Sequence, residues 1–196
     1  MSWLPERTNT GGFVHIIHRG VRRGALFTDE SDRRHFLQCV ARACESLGWS
    51  VVAWALMSNH VHLCARRSHA STAAFVHAWA TIYARGFNHR HGCSGHVFEG
   101  GYRRIPIRSD AQLRKCVRYV HLNPVVAGIV PDIDALDSYL WTGHRALMGA
   151  TALPCHDVDL TLSLFDSDPE RARSRMRDAL AEDLVEERER WRELRD

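Results

Sequence analysis

Residues 49–67, WSVVAWALMSNHVHLCARR, constrain the fold most. Two β-rich runs flank the polar pair Ser58-Asn59, a pattern that predicts a buried strand, a tight turn and an antiparallel partner strand. The flanking segments are read around this hairpin. FVHIIHRG at 13–20 predicts an extended segment, followed by the arginine-bearing loop GVRRGALF. From Asp29, the stretch DESDRRHFLQCVARACESLG places Phe36, Val40, Ala43 and Leu47 on one helical stripe and stops at Gly48, a fitting helix end.

Downstream, residues 71–89 set Phe75, Trp79 and Ile82 along one helical face, and the glycines of HGCSG end it. HVFEGGYRRIPI then reads as a strand with a glycine bend. Ser109 and Gln112 form a capping box that opens the helix DAQLRKCVRYVHL, whose core stripe is Leu113, Cys116, Val117 and Val120. Proline disfavours helical geometry at the residue before it, so this helix is expected to finish at or just before Asn123. From Asp168 a charged helix carries Met176, Leu180, Trp191 and Leu194 roughly on one side and is expected to dock onto the rest.

Strand, helix, strand pair, helix, strand, helix predicts an α+β fold. Its expected form is a ferredoxin-like two-layer sandwich, an antiparallel sheet with packed helices, plus a C-terminal helical extension. Residues 1–150 are expected to form the main domain and 151–196 the extension.

A chain of 196 residues with 45% hydrophobic content can close a core without disulfides or a structural metal. No apolar run approaches the roughly 20 residues that span a bilayer, and MSWLPERTNTGG lacks a signal-peptide layout, so no membrane partner is expected and the expected location is cytoplasmic. The six cysteines are scattered and read as reduced, mostly buried small hydrophobes. Net charge is only +3, yet all of the 26 basic residues except Lys115 are arginine. Arg19, Arg22 and Arg23 cluster, as do Arg66 with Arg67 and Arg103 with Arg104. Guanidinium forks suit phosphate oxygens, which makes nucleic acid a candidate partner.

Side chains alternate along a strand, so His60 and His62 share one face. Two imidazoles a pleat apart can chelate one cation. With an oxygen ligand and open positions such a pair suits Mg²⁺ or Mn²⁺ better than a closed zinc site. By spacing alone, two histidines that merely hydrogen-bond fit as well. Cys64 continues on that face and Cys93 with His96 gives a CxxH fragment, but no second ligand pair has finger-like spacing.

On the third helix Tyr119 and Asn123 stack four residues apart at the edge of the core stripe. That rim can offer a phenol and an amide oxygen to a metal held by the strand, although a tyrosine there is more often a core-edge ring. Phosphoryl transfer would use all four residues. Tyr83, Tyr102 and Tyr139 suit core or base-stacking roles better.

Five segments together resemble the HUH-superfamily single-tyrosine transposases, and in particular the REP-associated tyrosine transposases: HIIHRGVRRGALF, WALMSNHVHLCAR, FNHRHGCSGHVFEGGYRR, LRKCVRYVHLNPVVAGIV and SYLWTGHRALMG. They cover most of residues 12–149 in the family's order. The resemblance implies that residues 1–150 are the transposase domain, that His60 and His62 bind the metal, with Asn123 at the place of a third ligand, and that Tyr119 becomes linked to DNA. It further implies a single-stranded DNA partner carrying a REP-like hairpin, cut beside the hairpin to leave a 5′-phosphotyrosine and a free 3′-hydroxyl. Arg19, Arg22, Arg23, Arg103 and Arg104 are the implied DNA contacts. A monomer is expected, with a dimer as the alternative.

Three positions depart from the family pattern. Ser58 stands where proline is usual, Glu99 where glutamine is frequent and Gly101 where arginine often lies. The last two lower the positive character of a DNA-facing strand. Two other readings therefore stand beside the enzyme: a non-catalytic hairpin-DNA-binding regulator derived from a transposase, and a metal hydrolase of small molecules. The hydrolase lacks an obvious carboxylate base beside HVH.

Overall fold

The computed structural model describes residues 12–193, with side chains up to residue 187. The central hairpin forms as β2, Ser50–Leu56, and β3, His60–Arg66. β1, Phe13–Arg19, pairs antiparallel with β3 on one side and with β4, Arg103–Ile107, on the other, giving the order β2-β3-β1-β4. α1, Glu30–Leu47, connects β1 to β2, and α2, Thr72–His91, connects β3 to β4. This is the βαββαβ topology of a ferredoxin-like sheet.

Local chemistry sets the helix ends. Asp29 caps α1 by accepting from the Asp32 amide, and Gly48 closes it in the left-handed region at φ 67°. Ser71 and Gly92 do the same for α2. On α2 the buried face runs through Phe75, Trp79 and Tyr83, whereas Ile82, expected on that face, is 45% exposed. The Tyr83 hydroxyl donates to the Leu26 carbonyl, so the phenol can be buried with its polar tip satisfied.

Strand alternation divides the sheet between two cores. Val14, Ile16, Val61, Leu63, Trp54 and Leu56 face α1 and α2. Phe13, Cys64, Ala53 and Ala55 face α3, Asp110–Val126. A bulge between Val51 and Ala53 turns both Val52 and Ala53 to the α3 side. α3 thus closes the second face of the sheet through Leu113, Val117 and Val120, the expected stripe, with Cys116 at its edge.

α3 does not end at Asn123: it runs through Val126 with Pro124 inside it. Leu122, Pro124 and Val125 are buried, and Leu122 and Val125 pack against Leu136, Leu147 and the last helix. Tertiary burial therefore outweighs the local penalty of proline. Ser109 caps α3 at the Gln112 amide, but Gln112 Oε1 accepts from the Arg108 amide at 2.8 Å, one residue earlier than a closed capping box requires.

Three short helices follow: α4, Ile133–Ser138; α5, His144–Leu147; and α6, Val158–Ser163. Their connections cover the open edge of β2. Gly143 N donates to Trp54 O, and residues 155–157 exchange backbone bonds with Val51. α7, Pro169–Glu193, docks as expected: Met176 and Leu180 are fully buried beside Leu122 and Val125. The expected contributions of Trp191 and Leu194 lie outside the described side chains. Arg118 of α3 forms a two-point ion pair with Asp183 of α7, at 2.7 and 3.1 Å. No helix among the described residues is long and apolar enough to cross a membrane.

Candidate active site

The sheet face under α3 gathers the predicted chemistry. His60 opens β3 and is half-buried, while His62, one pleat on, is 2% exposed. Their rings meet edge to face at 4.9 Å between centroids. α3 crosses above them and brings the Tyr119 ring to 5.7 Å from His62, edge to face, with the phenol 50% exposed. Sequence distance is closed here by the packing of one helix on one strand.

Electrostatics leaves the histidines neutral. Burial, reinforced by the charge of Arg19, lowers the His60 pKa to about 4. Burial followed by the neighbouring His15, His60 and Arg19 lowers that of His62 to about 2. His60 Nδ1 lies 2.7 Å from Asn59 Oδ1, which orients the ring with Nδ1 as donor and Nε2 as a lone pair. The Nε2 of His62 is buried with no hydrogen-bond partner. Asn123 is half-buried and donates through Nδ2 to the Tyr119 carbonyl at 2.6 Å, along its own helix, so the amide oxygen is not the atom used in that bond.

The arginines divide. Arg19 lies opposite His60 in the β1–β3 register and shares its face. Arg103 lies opposite Ile17 and so shares the face of His15 and His62, whereas Arg104 lies opposite Ile16 and projects from the other face. Arg22 and Arg23 occupy a short 3-10 turn, Val21–Arg23, at the end of β1, both with positive φ, 54° and 56°. That turn is latched to the 58–59 turn: Gly20 N donates to Asn59 O at 2.8 Å and Asn59 Nδ2 to Arg23 O at 3.2 Å. All five arginines are exposed.

One residue of the site went unread in the sequence. His15 on β1 is buried, and its Nε2 lies 2.9 Å from His62 Nδ1. Alternation alone puts His15 on the face of Arg19, but only the β1–β3 register brings it against His62. His18, three residues on, turns the other way, stacks on Phe98 and contacts the Glu99 carbonyl. The six cysteines are free thiols, with Cys93 and His96 in an exposed loop. Among the described residues no group of three or more His, Cys, Asp or Glu is arranged to hold a metal ion.

The family model for IS200-like transposases matches residues 10–123, which span both histidines, Tyr119 and Asn123. The chain belongs to the IS200-like transposase family. No curated protein sequence matches it. Among solved structures it is similar to a REP-associated tyrosine transposase bound to a REP hairpin, with a TM-score of 0.57 and 16% identity over 81% of this chain and 90% of that one. At that identity the likeness shows the fold. A provisionally named transposase from Deinococcus radiodurans R1 matches with a TM-score of 0.44 and 17% identity, over 61% of this chain and 97% of that one, a similarity too low to weigh.

Proposed function

We propose that this IS200-like transposase is a metal-dependent, single-tyrosine enzyme that nicks and rejoins single-stranded DNA beside a hairpin. The observation that carries the reading is the half-exposed Tyr119 phenol set against the buried, neutral His62. Family membership and the likeness in fold to a transposase bound to a REP hairpin support the same substrate class.

The residues present fit a divalent cation. His62 Nε2 is a buried polar atom lacking a partner, and His60 is oriented by Asn59 with its other nitrogen free to ligate. His60 and His62, with the Asn123 amide oxygen, would hold Mg²⁺ or Mn²⁺. Bound there, the ion supplies positive charge to the scissile phosphate.

The chain's own groups do the rest. The Tyr119 oxygen attacks phosphorus, the bond to the 3′-oxygen breaks, the phenol proton is released and the 3′-oxygen takes up a proton as a hydroxyl. The 5′-phosphate stays esterified to Tyr119, and attack by a 3′-hydroxyl reverses the step and joins strands. A free phenol has a pKa of about 10, so fixed positive charge must favour the oxyanion. Arg19, opposite His60, and Arg103, on the same face, supply it. Arg22, Arg23 and Arg104 hold DNA at the end of β1 and on the far side of β4. In this reading Tyr119 works with the histidines of its own chain, as a monomer, in the cytoplasm. Residues 1–150 form the transposase unit in this reading and 151–196 its helical extension, with α7 bracing α3 through Arg118 and Asp183.

Purified protein mixed with hairpin-bearing single-stranded DNA and Mn²⁺ tests this on a denaturing gel. A covalent adduct that disappears with Tyr119→Phe or a chelator is the expected result. Tight binding without any adduct would favour the non-catalytic regulator instead.

A further inference from the structure

We propose that His15 is a positioning residue that fixes the tautomer of His62, so that the Nε2 lone pair of His62 is presented to a divalent cation. The proposal rests on the reading of His60 and His62 as a metal pair.

Its basis is one short contact and one orphaned atom. His15 Nε2 and His62 Nδ1 are 2.9 Å apart, with the ring centroids 5.2 Å apart and the planes within 25° of parallel, so the rings meet end to end. One hydrogen lies between the two ring nitrogens, so one ring donates and the other accepts. If His15 donated, the proton of His62 would sit on Nε2, where no partner accepts it. A protonated nitrogen cannot ligate a metal, whereas a buried lone pair without a donor is the partner a cation would supply.

If His62 donates through Nδ1, its Nε2 is a lone pair and the proton of His15 moves to Nδ1. Cys116, three residues before Tyr119 on α3, is a neighbour of His15 on this face. His15 thus lies between the tyrosine helix, whose Tyr119 ring meets it edge to face at 5.8 Å, and His62. The β1–β3 register holds it in place: His15 pairs with Cys64 and Ile17 with His62, which sets the two imidazoles diagonally on one face. An outer partner of this kind orients a ligating histidine, and its loss weakens metal binding about 10–100-fold.

The test titrates the full-length protein with Mn²⁺ alone by calorimetry, with His60→Ala and His62→Ala as controls. Binding that both controls abolish establishes the pair. His15→Phe, which keeps the ring's bulk without an acceptor, is then expected to weaken Mn²⁺ binding about 10–100-fold. His15→Gln, whose amide oxygen can accept at the same place, restores most of it. Nitrogen-15 shifts of the His62 imidazole in the metal-free wild type report the Nδ1–H tautomer, a readout independent of any variant's folding. An Nε2–H tautomer at His62, or wild-type affinity in His15→Phe, overturns the positioning role and leaves the metal pair standing. A wild type that binds no Mn²⁺, or binds it equally without His60 and His62, overturns the metal reading and this proposal with it.

Discussion

The rings of His62 and Tyr119 meet edge to face, 5.7 Å between centroids, and the same phenol stands 5.8 Å from His15. The sheet fixes one side of this contact and the packing of α3 fixes the other. A phenol on a helix and histidines on a central strand both sit on regular elements, the placement that the proposed nucleophile and metal pair require.

The two arginines of β4 should separate binding from chemistry. Arg103 shares the site's face and Arg104 projects from the opposite one. Arg103→Ala is therefore expected to slow adduct formation at least tenfold even at saturating DNA. Arg104→Ala should change only affinity, lowering the dependence of log K on log salt by about 0.7 for one lost single-strand phosphate contact. Single-turnover gels and anisotropy titrations at several salt concentrations measure both. Equal loss of rate in the two variants would contradict the assignment of faces.

Acid should weaken the fold through histidines buried outside the site. His121 is fully buried with neither ring nitrogen bonded, and burial lowers its pKa well below the ordinary value. Burial also lowers that of His156 to about 4. Above pH 6.5 such a residue is neutral whether folded or unfolded, and pH has no leverage. As pH falls from 6.5 towards 4 the unfolded chain takes up protons that the folded one refuses, so stability falls by up to about 1.4 kcal/mol per pH unit for each histidine. Urea unfolding at pH 7, 6 and 5 reads this, and His121→Leu should reduce the slope. Constant stability from pH 7 to 5 would contradict it.

Gly20 carries the latch between the arginine turn and the hairpin. A β-carbon there would lie 2.2 Å from the Gly24 carbonyl oxygen, a backbone atom that cannot step aside. Gly20→Ala is expected to destabilise the protein by about 2 kcal/mol and to lower hairpin affinity by displacing Arg22 and Arg23. Gly100→Ala, with nothing within 4 Å of the added carbon, should leave both within error. Thermal melts and anisotropy compare the pair. A Gly20→Ala protein with unchanged melting and affinity would show that the turn tolerates being opened.

Much of this architecture is legible in local pattern. The hairpin, the stripe of α1 with its Gly48 stop, and the core face of α3 follow from periodicity and capping because those signals lie within one turn or one strand. The errors lie where tertiary packing decides. Tyr83 displaces Ile82 from the buried face because the Leu26 carbonyl is there to accept its hydroxyl. α3 continues past Asn123 because Leu122 and Val125 are buried by α7. The short helices between 133 and 163 and their cover over β2 carry no strong period. His15 was hidden for a related reason: its role depends on register, a relation between strands that neither strand's own sequence states.

The most direct test of the account is to locate and orient the DNA bond. Adduct formed with a cleaved hairpin substrate would be digested with trypsin and nuclease and read by mass spectrometry, with the two DNA ends labelled separately. The expected result is a nucleotide on Tyr119 itself, told apart by peptide fragmentation from Tyr139 in the same tryptic peptide, linked through the 5′-phosphate, with a free 3′-hydroxyl on the other fragment. Attachment at Tyr83, Tyr102 or Tyr139, linkage through a 3′-phosphate, or cleavage that persists in Tyr119→Phe would contradict it.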